Sequence, residues 1–385
     1  MKILFSFFLS TMVIINCIAQ QDSKTSYRLP DGTRLEYWHD KTEYTKTYYV
    51  NKHHPQASDH NPGSFDKPFE TINHAAKLVK AGEKVQVYSG TYRECVKPAY
   101  SGTSATSMIA FEAAPGAEVI IKGSIIFNGI WQPSSAVLGF NYGRDIWQTP
   151  LDKKTYAPFY MLNANNEEMA LMPWAEKWTG LVPYILKRGL VFQDGKQMIQ
   201  LANYEDLLSL EGTFWIDEKN QLLHIHPFEN KNPNECAYDL TNQEQLFVPK
   251  NIGTNYIHVS GFIFEHAANG FPRIGTGAVF VNGGHHWIFE NNVIRNINSV
   301  GIEAGARTKE KKVSSNEENE RVENHPGGFI IRNNEIYNCG TGGIQGHTVR
   351  NSLLEKNHLH HIGWQHAEQY WECAAIKMLR NVNNV

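Results

Sequence analysis

Aromatic residues and carboxylates occur together in one short segment late in the chain, GWQHAEQYWEC at residues 363–373. Aromatic rings stack on the flat apolar faces of sugars, and carboxyl groups can transfer protons and stabilise an oxocarbenium-like centre during glycosidic cleavage. The segment therefore predicts a sugar site in which Trp364 and Trp371 stack on the rings. Its carboxylates Glu368 and Glu372 are candidate substrate-binding and catalytic groups. An ordinary solvated loop is the alternative.

A second candidate region begins at Glu303 and continues into a charged insert at 307–324. We expect Glu303 to contact substrate. Three other glutamates belong to a repeated pattern and are expected at surface positions: Glu290, Glu335 and Glu355. No aspartate follows Asp239, although calcium-dependent pectate lyases use acidic clusters that usually include aspartate, and inverting polygalacturonases use aspartates. Neither of these two patterns is visible.

Histidines are frequent in the second half of the chain, and His358 and His360 would alternate onto one face of a strand. This pair could suggest a metal site, but the spacing matches no metal-binding motif such as HExxH, so a polar ladder or hydrogen bonds to substrate are favoured. The cysteines that follow residue 20 lie far apart without a CxxC pair, so they predict neither a zinc site nor a disulfide framework. We predict no metal ion and no cofactor.

An imperfect internal repeat organises the second half of the chain. Its copies begin at 257, 287, 329 and 352, and the last two are 23 residues apart. Alternating apolar residues on very short strands, each followed by a turn, predict a right-handed parallel β-helix, a pectate-lyase-like solenoid in which each coil packs on its neighbours. Asparagines at equivalent turn positions should stack in a hydrogen-bonded ladder: Asn292, Asn334 and Asn357.

The rest of the chain divides around this solenoid. Residues 47–144 are predicted to form an N-terminal cap and the first coils, with a short capping helix over 68–79. Residues 145–250 predict an inserted antiparallel β subdomain that includes a hairpin with an Asp194-Gly195 turn. Residues 251–385 predict further coils that stop in the middle of one, so we expect the natural polypeptide to continue. The fold class is all-β.

The N-terminal segment 1–19 predicts a cleaved secretory signal: Met1-Lys2 is followed by an apolar run that ends at Cys17-Ile18-Ala19. We therefore expect a secreted or periplasmic protein with no membrane contact beyond this signal, and a lipid-modified Cys17 is the less favoured alternative. The net charge of −3 gives no electrostatic footprint for nucleic acid, and 41% hydrophobic residues permit a sizeable core. The expected partner is a carbohydrate.

Several segments together resemble glycoside hydrolase family 120, the β-helical β-xylosidases: HVSGFIFEHAA, WIFENNVIRNINSVGIEAG, IIRNNEIYNCGTGGIQGH and ECAAIKM. The resemblance spans most of residues 47–385 and implies a retaining glycoside hydrolase. It implies site roles for Glu372, for Lys377 and for His347. The resemblance also implies that the nucleophile and the acid/base would lie on later coils, after the segment that matches Glu372 to Lys377. The chain departs from the family at Leu379, where the family has histidine.

Two other functions remain open at this stage. A polysaccharide lyase would abstract a proton next to a uronate, release an unsaturated product and depend on calcium. A non-catalytic glycan-binding solenoid would bind a polysaccharide without releasing reducing ends. The leading hypothesis is a secreted retaining glycoside hydrolase that acts on xylose-type or related β-linked plant glycans.

Overall fold

A computed structural model describes residues 32, 37–134, 145–163, 186–271, 275–305, 327–347, 349–366 and 373–379. The chain divides into two units, residues 1–39 and 40–385, and the β-helix lies in the second. Three predicted segments lie outside the described residues: the signal at 1–19, the charged insert at 307–324 and the segment 367–372. No described helix is long and apolar enough to cross a bilayer.

Three parallel sheets form the β-helix, and the chain passes from one sheet to the next within each coil. Neighbouring strands within a sheet pair in parallel. Sheet 1 contains β1 (Lys46–Val50), β2 (Glu83–Val87), β4 (Ile109–Ala113), β15 (Ile257–Ser260), β18 (Ile288–Glu290), β21 (Ile330–Arg332) and β24 (Leu353–Glu355). Sheet 2 contains β3 (Gly90–Tyr92), β5 (Val119–Lys122), β16 (Phe262–Glu265), β19 (Val293–Ile297), β22 (Glu335–Cys339) and β25 (His358–Ile362). Sheet 3 contains β17 (Val279–Phe280), β20 (Val300–Gly305), β23 (Gly342–His347) and β26 (Ala374–Leu379).

Columns of apolar side chains fill the interior of the solenoid. In sheet 1, Phe111, Val259, Phe289 and Ile331 lie in register on successive strands, and all four are buried. Because alternate residues of a strand face opposite sides, the short apolar alternation in each repeat is enough to build this column. Burying one such side chain stabilises the fold by roughly 1.5–3 kcal/mol, and every coil adds several.

The predicted asparagine ladder is confirmed at the turn between sheets 1 and 2. Asn292 Nδ2 donates to Asn334 Oδ1 at 3.1 Å, and Asn334 Nδ2 donates to Asn357 Oδ1 at 3.0 Å. The residue before each ladder asparagine has a positive φ of 52–57°: Asn291, Asn333 and Lys356. This left-handed residue turns the chain sharply, so that each amide points into the stack.

Two sheets that are mainly antiparallel form the insert. The first contains β6 (Ser124–Ile126), β9 (Val191–Gln193), β10 (Lys196–Gln197) and β14 (Tyr238–Thr241). The second contains β7 (Gln132–Pro133), β8 (Trp147–Pro150), β11 (Ile199–Gln200), β12 (Thr213–Asp217) and β13 (Leu222–His226). The predicted hairpin is confirmed: β9 pairs antiparallel with β10 across Asp194-Gly195, and both turn residues have positive φ. Short 3-10 helices lie at Ala157–Tyr160, Glu205–Ser209, Phe228–Asn230 and Pro233–Glu235.

The limits of the insert differ from the interval 145–250 that the sequence suggested. Its first strand begins at Ser124 and its last ends at Thr241. Phe247 already belongs to the β-helix, because it bridges in parallel to both Val96 and Val279. The sequence could not show this, since strands β5 and β6 are separated by the single residue Gly123, and only the pairing partner distinguishes them.

The N-terminal helix α1 spans Ile72–Ala76, which is shorter than the predicted 68–79. Phe69 bridges in parallel to Val50, so the chain is still extended where the helix was expected to begin. Glu94 accepts hydrogen bonds from the backbone N–H groups of Ile72 and Asn73 at 2.9 Å each, which satisfies two free donors at the helix start. Ile72 and Ala75 pack into the same core as sheet 1.

Candidate functional site

Three of the residues predicted for the site lie on neighbouring strands of sheet 3. Glu303 is on β20, His347 on β23 and Lys377 on β26. Glu303 pairs in register with Gln345, which in turn pairs with Lys377, so the three form one column across successive coils. His347 lies two residues along from this column, in register with Gly305 and Leu379. We call this sheet-3 column and its neighbours the candidate site.

Glu303 points away from the core that its neighbours Ile302 and Ala304 help to form. Its carboxylate is nevertheless fully buried, because the loop 275–277 covers it. Oε1 accepts from the Gly275 N–H at 2.6 Å, and Oε2 accepts from those of Thr276 and Gly277 at 2.8 Å each. Burial raises the pKa of Glu303 to about 7, against the three backbone hydrogen bonds, which lower it.

The loop can approach Glu303 this closely because it contains glycine. A Cβ added at Gly277 would lie 2.5 Å from the Glu303 Cβ, closer than real side chains come. Both carboxylate oxygens are engaged by the loop, so the structure gives Glu303 the role of positioning residues 275–277 beside sheet 3. Direct contact between Glu303 and a substrate stays a prediction.

The next two coils bring further polar groups to the same sheet. Gln345 and His347 are buried, and Lys377 is half-buried. Sequence reasoning missed Gln345 and the loop 275–277. One signal was present: the aligned pairs Gly301-Ile302 and Gly343-Ile344 are followed by Glu303 and Gln345 at the same repeat position.

Trp364 lies in the turn that leads from sheet 2 to sheet 3. Its indole Nε1 donates to the Asn338 carbonyl at 3.1 Å, and the next residue, Gln365, donates to Asn298 Oδ1 at 2.6 Å. These bonds attach the turn to preceding coils, so part of the Trp364 side chain serves the solenoid itself. Its stacking on sugar stays a prediction. The other predicted residues of this segment lie outside the described residues: Glu368, Trp371 and Glu372.

The outer face of sheet 1 carries charges that neutralise one another. Glu290, Arg332 and Glu355 follow in register, as expected for surface positions of successive coils. His258 Nε2 lies 2.9 Å from Glu290 Oε1, and its Nδ1 lies 2.9 Å from Asp40 Oδ2. Burial raises the pKa of Glu290, but the hydrogen bonds from His258 and Arg332 outweigh it and bring the value to about 2. Asp40, His258, Glu290 and Arg332 thus form a structural network of ion pairs.

Comparison with known proteins defines the class of fold. Residues 276–382 match a family model described as "Right handed beta helix region", and residues 56–100 match one described as "Protein of unknown function (DUF1565)". With the three parallel sheets, this shows that the chain is a right-handed parallel β-helix. The uncharacterized protein YwoF of Bacillus subtilis (strain 168) is 35% identical over 78 residues, which are 20% of this chain and 16% of YwoF.

Among solved structures, XylC in complex with xylose superposes with a TM-score of 0.72 and 26% identity, over 87% of this chain and 57% of the XylC chain. A GH136 lacto-N-biosidase from Eubacterium ramulus superposes with a TM-score of 0.45 and 15% identity, over 88% of this chain and 51% of that one. This chain thus spans a little over half the length of XylC.

Proposed function

We propose that this chain belongs to a carbohydrate-active enzyme, a retaining glycoside hydrolase that acts on β-linked xylose-type glycans. The observation that carries the proposal is the structural likeness to XylC, which extends over 87% of this chain. The XylC structure contains bound xylose. The resemblance of the repeat segments to glycoside hydrolase family 120 supports the same class. We also propose that the protein is secreted, on the basis of the apolar segment at 1–19.

The candidate site on sheet 3 offers the groups that such an enzyme needs around a sugar. Lys377 and His347 would supply hydrogen-bonding side chains for hydroxyl groups on the strands that follow the strand of Glu303. Glu372 precedes Ala374 by two positions in the sequence, and its proposed site role rests on the resemblance of the ECAAIKM segment to glycoside hydrolase family 120. In a retaining enzyme two carboxyl groups stand about 5–5.5 Å apart, one as nucleophile and one as acid/base.

The test is hydrolysis of p-nitrophenyl β-D-xylopyranoside by the natural polypeptide. We expect xylose to be released first as the β-anomer, which proton NMR follows directly. Glu372→Gln should lower turnover roughly tenfold or more, because a carboxylate that binds substrate would be lost and its partner left unpaired, which costs about 1–3 kcal/mol. Glu355→Gln, which changes a glutamate on the outer face of sheet 1, is the matched control and should leave turnover unchanged.

Each alternative outcome identifies a different function. An unsaturated, ultraviolet-absorbing product formed only with calcium would replace the hydrolase by a lyase. Saturable binding of xylan with no new reducing ends would indicate a binding solenoid. Unchanged kinetics for Glu372→Gln would remove Glu372 from the site.

A further inference from the structure

One glutamate and two histidines form a cluster on the outer face of sheet 2, on its last two strands, β22 and β25. Glu335 on β22 and His358 on β25 stand directly opposite each other in the parallel register. His360 lies two residues beyond His358, so it faces the same side of the strand. The cluster lies on a different sheet from the candidate site, and no step of the proposed hydrolysis uses it.

The potential ligand atoms of this cluster converge. Glu335 Oε1 lies 3.4 Å from His360 Nε2 and 3.8 Å from His358 Nδ1, and one ligand atom from each of the three residues lies within 4.8 Å of the others. Tetrahedral zinc with bonds of about 2.0–2.1 Å holds its ligand atoms roughly 3.3–3.4 Å apart. The separations around Glu335 Oε1 are therefore close to those of a metal site, and exposed side chains can make the remaining adjustment.

The surrounding residues hold the His360 ring in place. The ring stacks on Tyr337 with centroids 4.8 Å apart and planes within 9°. Its Nδ1 lies 2.6 Å from Nδ1 of His361, which leaves Nε2 directed at Glu335. A histidine that ligates a metal commonly uses its second ring nitrogen in just such an outer hydrogen bond, which fixes the tautomer and the ring orientation.

We propose that Glu335, His358 and His360 bind a divalent transition metal of the zinc type, with His361 and Tyr337 orienting His360. Two imidazoles and one carboxylate suit zinc, nickel or copper rather than calcium or magnesium, which prefer all-oxygen sites. The side chain of His358 is 72% exposed, so an ion has direct access and water can complete its coordination. Within the described ranges, no second group of three such side chains converges in this way.

The spacing of these histidines matches no known metal-binding motif, so the sequence alone favours a polar ladder or hydrogen bonds to substrate. The missing information was Glu335, which is 23 residues before His358 and comes beside it only through the coil repeat. A His-x-His pair on one strand supplies two ligands, and the neighbouring coil supplies the third. The arrangement therefore depends on the solenoid itself.

The test is calorimetric titration of the tag-free, chelator-treated protein with Zn²⁺ at neutral pH. We expect one saturable binding event, which Ca²⁺ and Mg²⁺ do not reproduce. His358→Gln and Glu335→Gln should each weaken Zn²⁺ binding by at least about tenfold, and His361→Gln by about 10–100-fold through loss of the outer hydrogen bond. His60→Gln, a change at another exposed histidine, is the matched control and should bind Zn²⁺ like the original protein.

Circular dichroism checks that each variant folds. We expect the His358 variant to fold, because this side chain is exposed. The proposal is overturned if the original protein shows no saturable Zn²⁺ binding. It is equally overturned if folded His358→Gln and His360→Gln proteins both retain the original affinity, because the ion would then bind elsewhere.

Discussion

Glu290 and Glu303 belong to the same coil of the β-helix, yet their surroundings move their pKa values in opposite directions. Glu290, on sheet 1, accepts hydrogen bonds from His258 and Arg332, and its pKa falls to about 2 although burial alone would raise it. Glu303, on sheet 3, is fully buried against a loop, and burial raises its pKa to about 7 in spite of three backbone N–H donors.

The difference shows how one coil can give two carboxylates opposite electrostatic surroundings. On sheet 1 the next coil supplies Arg332 in register with Glu290, so this carboxylate is held in an ion pair. On sheet 3 the coils supply Gln345 and Lys377 in register with Glu303, and a loop closes over the carboxylate.

The largest effect is expected from Glu290→Ala. This carboxylate is the shared partner of Arg332 and His258, and the variant removes it. The Glu290 side chain is only 14% exposed, so water replaces the lost contacts poorly. Breaking a buried ion pair costs about 3–5 kcal/mol, and the residual exposure points to the lower end. Chemical denaturation should therefore show the free energy of unfolding reduced by about 3 kcal/mol. Glu118→Ala, at an exposed position, is the control; equal losses in the two variants would contradict the structural role.

The next effect is a pH dependence that belongs to sheet 1. Burial lowers the pKa of His258, but Asp40 and Glu290 outweigh it and raise the value from 6.5 to about 9. The stability that protonated His258 contributes is therefore complete below pH 6.5 and is lost as the pH rises through 9. The loss amounts to at most about 3 kcal/mol.

His258→Gln should remove this part of the alkaline slope when unfolding is measured from pH 6 to pH 9.5. His60→Gln should retain it, because His60 is exposed. If the two variants show the same slope, the charge of His258 does not stabilise sheet 1.

Glu303→Gln tests the environment of the buried carboxylate on sheet 3. The new amide would turn an N–H₂ group toward backbone N–H donors of the loop 275–277, and leaving such groups unpaired costs about 1–3 kcal/mol. Because folded Glu303 holds its proton up to about pH 7, its contribution to stability falls between pH 4.5 and pH 7, and the variant should lose that slope. Unfolding curves at pH 4.5 and pH 7.5 measure both effects. Glu118→Gln is the control. A Glu303→Gln protein with the original stability at both pH values would contradict the role of Glu303 in holding the loop 275–277.

The sequence predicted what depends on local repetition. The ladder of Asn292, Asn334 and Asn357 and the Asp194-Gly195 hairpin are confirmed because turn residues and short apolar strands encode them directly. The environments of Glu290 and Glu303 could not be predicted in the same way. His258 lies 32 residues before Glu290, and Gly275 lies 28 residues before Glu303. Coil register, which is set by the irregular lengths of the turns, decides which residues meet.

The smallest effect is expected from Glu355→Gln, at the far end of the charged column on sheet 1. Glu355 Oε1 lies 4.0 Å from Arg332 Nη1, at the outer limit of an ion pair, and the Arg332 side chain is 30% exposed. Pairs that reach solvent contribute about 0–1 kcal/mol, because water solvates both charges almost as well. Arg332 also keeps its bond to Glu290 in this variant. Denaturation should therefore show a change below about 1 kcal/mol, reduced further by added salt. A loss as large as that of Glu290→Ala would mean that the whole column, rather than the group around His258, stabilises this face.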